Sequence, residues 1–498
     1  MKKQRLIKYP YLLIAIIGLA VYAKTISFDL TYVDDQQLIA EGKELSASLS
    51  GFLDAFHRDV LNGPAGKGIY YRPILTISFI LDAWLGGGSP FINHLTNLIL
   101  HLVASCLIFF LFTKLGYADE IALVFSVIFT VHPALAQAVA WIPGRNDILL
   151  TVFVLLSFIG FLDFLDTKKL KYYLLHIFLF ALALFTKESA VFLPIMCLVY
   201  LYLIMKEKKF SYRSNILTAG WLIVIGFWLF MRKIGLSNPV EPDLFYISGH
   251  FLLNLPALVP FIGKAILPFN LSVWPIMENT SFIYGILSII LIAAAIIFTK
   301  RPRYGFIVFG ALWFVLFLSP VFIHIRLARE TVFLEHRLYL PVIGIMILLY
   351  ETKFVKRLAL TDRGSFIAAI SCIAIFSSIT FCHSENFKDS LTFCRSAVTS
   401  SPDSVIAHMN LGSAYLMDAN SRGAVEEFKK AIAIAPHESF GYNYLGVCYM
   451  EKNMFKEASL EFRKAMAIDP GSDHIRHNLV DAYFKDGNLG EVERLMGR

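Results

Sequence analysis

The residues best suited to do chemistry are an adjacent acidic pair, Asp34 and Asp35, and several clusters of cations and histidines placed where apolar segments end. Adjacent carboxylates push each other's ionisation apart, and desolvating them at a membrane surface is costly. The first cationic cluster is Tyr71-Arg72-Pro73. The second runs from His132-Pro133 to Trp141-Ile142-Pro143-Gly144-Arg145-Asn146-Asp147. The third is Thr186-Lys187-Glu188-Ser189, and the fourth holds Arg326, Arg329 and Glu330, then Glu335-His336-Arg337. An arginine presents a planar fork of donors that suits phosphate. Carboxylates facing such cations suit transfer of a sugar from a lipid phosphate to a hydroxyl: a base accepts the hydroxyl proton, and cations stabilise the departing phosphate. Blander readings stand beside this one. Asp34 and Asp35 fit a solvated loop, Arg145 fits a pair with Asp147, and Lys187-Glu188 fits a structural ion pair. His94, Asn97 and His101 share one helical face, which serves equally for interhelix contacts or substrate.

Membrane helices must position these groups. Of 498 residues 57% are apolar and 17% charged, and the mean hydropathy is +0.62, a balance that implies a polytopic membrane protein. The net charge of +7 is no nucleic-acid signal, because the basic residues cluster between apolar runs. Residues 10–29 form a first span, preceded by Lys2, Lys3, Arg5 and Lys8, which favour a cytoplasmic N-terminus and put the acidic pair on the far side. Val21-Tyr22-Ala23 resembles a cleavage site, but the apolar run exceeds a usual signal core and reads as a retained anchor. Further runs at 91–112, 119–138, 147–165, 171–186, 190–205, 215–233, 282–299, 305–323, 338–351 and 365–382 give about eleven spans. Segments 73–86 and 250–268 carry Pro, Gly or charge and read as interfacial or re-entrant. Basic clusters at 168–171, 206–213, 300–303 and 353–363 then fall on one side, with Arg232 and Lys233 fitting poorly, and the C-terminus lies outside. The six cysteines form no disulfide framework or metal pattern, so no metal site is expected.

Composition changes near 385 to charged and helical. Pro402, Pro436 and Pro470 are 34 residues apart, the tetratricopeptide (TPR) period, and Leu411/Leu445/Leu479, Tyr415/Tyr449/Tyr483 and Phe428/Phe462 keep the register. The fold class expected is therefore all-α: a polytopic membrane domain over 1–384, then a short TPR solenoid over 385–498 on the extracytoplasmic side. Such a solenoid can bind a peptide or protein, or serve only as a packing module.

In order along the chain, YVDDQQLI, YYRPILTISFILD, INHLTNLILH, VHPALAQAVAWIPGRNDIL, TKESAVFLP and EHRLYLP, followed by the repeats, resemble the transmembrane-and-TPR (TMTC) proteins and their bacterial relatives. These are similar to GT-C glycosyltransferases of the protein O-mannosyltransferase kind. The resemblance implies a polyprenyl- or dolichyl-phosphate sugar as donor, an inverting transfer, and Asp34 as base with Asp35 beside it. Donor-phosphate and substrate contacts are expected from Arg72, His132, Arg145, Asp147, Lys187, Glu188, Glu335, His336 and Arg337. Gln137 stands where many relatives carry Glu, which puts a second carboxylate role there in doubt; Phe387, where they carry Trp, is a milder change. No cofactor is expected, and a divalent metal stays open. The acceptor is a protein Ser/Thr hydroxyl or a glycan or lipid hydroxyl. The setting is a bacterial inner membrane with periplasmic repeats, favoured by the short loops, or an endoplasmic-reticulum membrane with lumenal ones. The rival readings are a non-catalytic envelope-assembly scaffold and a lipid-linked-sugar transporter.

Overall fold

The computed structural model describes residues 9–61, 70–206, 212–236, 244–323, 330–357 and 360–496. Lys2, Lys3, Arg5, Lys8, Lys208, Lys209, Arg326 and Arg329 lie outside them. The chain is 80% helical, and among the described residues it has no strands and a single antiparallel bridge, Ile276 to Val332. It is an all-α polytopic membrane protein that divides into two compact units.

The first unit comprises residues 1–271, 281–324 and 335–388. Among the described residues, seven helices are long and apolar enough to cross a membrane: Pro10–Ser27, Pro90–Lys114, Ile142–Thr167, Ser214–Gly235, Ser248–Ile266, Tyr304–Ile323 and Arg363–Phe387. An eighth candidate is the bent pair Asp119–Thr130 and Pro133–Ala140, broken by 51°. The bend follows from Pro133, which lacks an N–H and holds His132 extended at φ −70° and ψ 121°. Four shorter apolar helices are Pro73–Gly86, Leu170–Thr186, Glu188–Ile204 and Ile283–Ile297. Several helix lengths differ from the pattern expected for eleven spans, among them Leu170–Thr186, Glu188–Ile204 and Ile283–Ile297, expected to cross and shorter than the seven. Ser248–Ile266, expected to be interfacial or re-entrant, is 19 residues long and apolar enough to cross a membrane. Val342–Tyr350 has only 9 residues, too few to cross roughly 30 Å alone. Hydropathy marks Val342–Tyr350 as apolar for another reason: it is buried within protein.

Local sequence fixes the elements around the acidic pair. The helix Asp35–Leu45 turns an apolar stripe (Leu38, Ile39) onto Leu75, Phe79 and Ile142. Gly42 permits that approach, since a Cβ there would meet the Phe79 backbone at 2.9 Å. Proline at the first turn of Pro73–Gly86 and of Pro90–Lys114 sets where each begins.

The second unit comprises residues 389–498 with the loop segments 272–280 and 325–334. Its helix pairs begin at Val405, Ser439 and Asp473, a step of 34 residues. Ser404 and Ser472 cap the first and third of these by accepting from the N–H groups of Ala407 and Ile475. Phe428 and Phe462 are fully buried against Gly412 and Gly446, where a Cβ would come within 2.6 Å of a ring. Glu330, carried by a loop segment, accepts from Ser404 Oγ at 2.8 Å and from the Val405 N–H, which fastens that segment to the first pair.

Candidate active site

The two aspartates have opposite surroundings. Asp35 is buried, and its Oδ2 accepts from the Thr31 N–H at 2.6 Å and the Thr31 hydroxyl at 2.9 Å. Its Oδ1 accepts from the Gln36 N–H at 2.9 Å. Burial pushes its carboxyl up to about 6, against the downward pull of those bonds. Asp34 is exposed and stands at the N-cap position of Asp35–Leu45, yet its side chain makes no capping bond. Its φ is +67°, a positive value that Asp and Asn tolerate better than most residues. The carboxylate that would ordinarily cap the helix is thus left facing outward.

Thr31 links this pair to the cationic clusters, because its hydroxyl also accepts from Trp141 Nε1 at 3.0 Å. The Trp141 ring lies 5.4 Å from that of His336, and His336 Nε2 is 3.7 Å from Asp147 Oδ2. Asp147 Oδ1 accepts from Lys187 Nζ at 2.7 Å, and Lys187 also donates to Asn146 Oδ1 at 3.1 Å. Arg72 holds Glu188 in a two-point grip at 2.6 and 3.1 Å, with its guanidinium 4.4 Å over the Tyr70 ring. Arg337 lies within electrostatic range of Tyr70, Asp147, Arg72 and Glu188. Its Nη1 is closed off from solvent and has no hydrogen-bond partner among the described residues.

Six sequence candidates therefore converge: Arg72, Asp147, Lys187, Glu188, His336 and Arg337. Three others are directed elsewhere. Arg145 is fully buried, and its donors reach Asp82, Asn97, Asn93 and Ser78, over the Phe79 ring at 4.2 Å. Those partners occupy the whole fork, so no N–H is left for a ligand. His132 donates from Nε2 to the Ala265 carbonyl at 3.2 Å and packs edge-on against Phe376. Glu335, fully buried, pairs with Lys264 and sits 3.7 Å from His383 Nε2. The His94/Asn97/His101 face goes to interhelix contacts. Asn97 donates to the carbonyls of Trp141 and Ile142 at the helix break, and His101 bridges the Tyr339 hydroxyl and the Thr130 carbonyl. Gln137 Oε1 accepts from the His336 N–H at 3.1 Å, a bond an amide forms as well as a carboxylate.

Since Arg145 and Asp82 neutralise each other in a buried site, Arg145→Met is expected to orphan the Asp82 charge and cost about 3–5 kcal/mol. Thermal melting in detergent measures this. A variant that melts normally and loses only affinity for a donor would instead make Arg145 a ligand.

Residues 81–231 match the family model of dolichyl-phosphate-mannose-protein mannosyltransferases, a stretch that includes Arg145, Asp147, Lys187 and Glu188. The chain is 33% identical over 141 residues to protein O-mannosyl-transferase TMTC1 of Mus musculus, covering 26% of this chain and 15% of the relative. It is 33% identical over 159 residues to Homo sapiens TMTC2, covering 30% and 18%. Over 368 residues it is 26% identical to the Caenorhabditis elegans protein O-mannosyl-transferase F38B6.6, covering 69% of this chain and 50% of that one. The chain thus spans half or less of the length of these three relatives. The matching stretch and these relatives are of one kind: over them the chain is similar to TMTC proteins and to dolichyl-phosphate-mannose-protein mannosyltransferases.

Proposed function

We propose that this protein is an integral membrane glycosyltransferase that moves a sugar, mannose by analogy with its relatives, from a polyprenyl- or dolichyl-phosphate donor to a Ser/Thr hydroxyl of a protein. The observation that carries this reading is a charge imbalance. Among the described residues, Arg72, Lys187 and Arg337 stand against two carboxylates, Asp147 and Glu188, and Arg337 is the one of the three without an ion-pair partner. Partial desolvation of an unpaired cation is costly, and a phosphate supplies the missing charge and acceptor oxygens.

In the transfer, the acceptor oxygen bonds to the anomeric carbon while the bond from that carbon to the phosphate oxygen breaks. The phosphate leaves with the electron pair, and Arg337 stabilises the charge gathering on it. The hydroxyl proton passes to the Asp34 carboxylate. Attack on the face opposite the leaving group inverts the anomeric centre. Asp35 holds the loop through Thr31. Arg72 and Glu188 fix each other beside Lys187, which leaves Arg337 as the available donor. Arg145 is a positioning residue that braces the start of its helix.

The direct test supplies purified protein in nanodiscs with polyprenyl-phosphate mannose labelled in the sugar and a Ser/Thr-rich peptide. Labelled peptide is the expected product. Label retained on the lipid, with the protein folded, would reject the reading.

We further propose that the 34-residue repeats are TPRs lying outside the cytoplasm, where they capture the acceptor. An alkaline phosphatase fused after residue 498 should then be active. Activity of a cytoplasmic reporter there instead would mean that Ser248–Ile266 crosses or that another span does not, and the repeats would face the wrong compartment.

A further inference from the structure

Resting on the reading of Arg337 as a phosphate ligand, we propose that the buried Lys264–Glu335 ion pair is the positioning device that aims Arg337 at the donor. Glu335, His336 and Arg337 occupy one turn of 3₁₀ helix, Glu335–Leu338. With three residues per turn, consecutive side chains leave the axis roughly 120° apart. The three therefore point in three directions: Glu335 to Lys264 and His383, His336 to Asp147 and Trp141, and Arg337 toward Tyr70, Arg72 and Glu188. Fixing any one direction fixes the rotation of the turn, and hence the other two.

Lys264 is well placed to do the fixing. It belongs to the helix Leu258–Ile266, and its Nζ also donates to the Asn270 carbonyl at 2.7 Å. His383 approaches Glu335 from the helix Arg363–Ser384. Its Nδ1 takes a hydrogen bond from Asn386 Nδ2 at 3.2 Å, which turns Nε2–H toward the carboxylate. Two further bonds hold the backbone of the turn, from the His336 N–H to Gln137 and from the Tyr339 N–H to the His336 carbonyl. The second is internal to the turn, so the turn's rotation is set by what reaches it from other elements, Gln137 on its backbone and Lys264 on its carboxylate.

Stability does not account for the pair. Lys264 and Glu335 are 3% and 0% exposed, and replacing a buried ion pair with well-packed apolar residues is commonly neutral or stabilising. What such a pair offers is orientation, because a misplacement of about 1 Å at a reacting centre can cost on the order of 10²-fold.

The test uses the full-length protein in nanodiscs, with Lys264→Met and Glu335→Met combined so that neither charge is orphaned. The expected result is an unchanged melting temperature, a KM for polyprenyl-phosphate mannose raised by about 10- to 100-fold, and an unchanged KM for the peptide. Introduced into Arg337→Ala, the same replacement should add less than about a twofold further effect, since the group being aimed is already gone. If the paired replacement leaves donor KM unchanged while Arg337→Ala raises it, positioning is overturned and the phosphate reading stands. A full additional loss in the Arg337→Ala background also overturns positioning. If Arg337→Ala itself has no effect, the phosphate reading falls as well. Should the double replacement fail to accumulate, Glu335→Gln keeps the volume and carries the same comparison.

Discussion

Purified Asp34→Asn is expected to bind donor almost normally and to transfer sugar about 10²–10⁴-fold more slowly, the usual cost of losing a general base. The substitution isolates the proton acceptor. Asn keeps the size of the side chain, tolerates the positive φ of +67°, and disturbs no side-chain cap, because Asp34 makes none. Asp35→Asn should behave differently. It weakens the three bonds from Thr31 and Gln36 that shape the loop, so it should lower the melting temperature together with activity. The pH dependence adds a second check. Protein bulk around the loop raises the Asp34 carboxyl above the usual carboxylate range. A base must be ionised, so transfer should fail as pH falls through that raised value, earlier in an acid titration than for an ordinary aspartate. Full activity in Asp34→Asn together with loss in Asp35→Asn would move the role one residue along. Normal transfer by both would leave the acidic pair outside the chemistry and favour a scaffold.

The membrane class and the main cluster are legible in the sequence, because both rest on patterns a single chain exposes. Long apolar runs have few explanations other than a bilayer, and charged motifs at their ends have few places to go. Six candidates meet at Asp147 and Arg337 on that logic. What the sequence hides is pairing. Arg145 and Arg337 look alike as arginines beside helix ends, yet one finds Asp82, Asn93 and Asn97, while Nη1 of the other finds no hydrogen-bond partner among the described residues. The signal for Arg145 is present in the polar face of the preceding helix, but its partners become visible only once two helices are packed. Glu335 is diverted by Lys264, and no motif marks Lys264, which lies in an otherwise apolar helix. Thr31 carries no mark either, and Trp141, though it lies in the second cluster, carries none for this contact. A threonine and a tryptophan near a membrane surface are common, and the 3.0 Å contact between them, which ties the acidic loop to His336, becomes visible once the helices are packed.

Span counting has a related limit. Hydropathy reports that a segment avoids water, not whether lipid or protein surrounds it. Val342–Tyr350 is apolar because it lies inside protein, packed so closely that a Cβ on Gly344 would collide with the Gly310 carbonyl.

Arg337→Ala is expected to reduce kcat by about 10²–10³, as for loss of one donor aimed at transition-state charge, and to raise the KM for the lipid donor. The accompanying stability change should separate it from Arg72 and Lys187. Removing Arg72 leaves Glu188 without its two-point partner, and removing Lys187 leaves Asp147 without its ammonium, so both should lower the melting temperature. Arg337 leaves no ion-paired carboxylate behind. It sits among Asp147, Glu188 and Arg72 with its own Nη1 unsatisfied, so its loss should lower the melting temperature less than the loss of Arg72 or Lys187 does. A residue whose removal costs little stability and disables transfer is one retained for a ligand. Arg337→Lys refines the point: it keeps the charge but not the planar fork, and should recover only part of the lost rate. Inorganic phosphate should raise the melting temperature of the unaltered protein and have no such effect on Arg337→Ala. If Arg337→Ala lowers the melting temperature and leaves kcat and donor KM unchanged, the unpaired guanidinium is structural, and the phosphate site must be sought elsewhere.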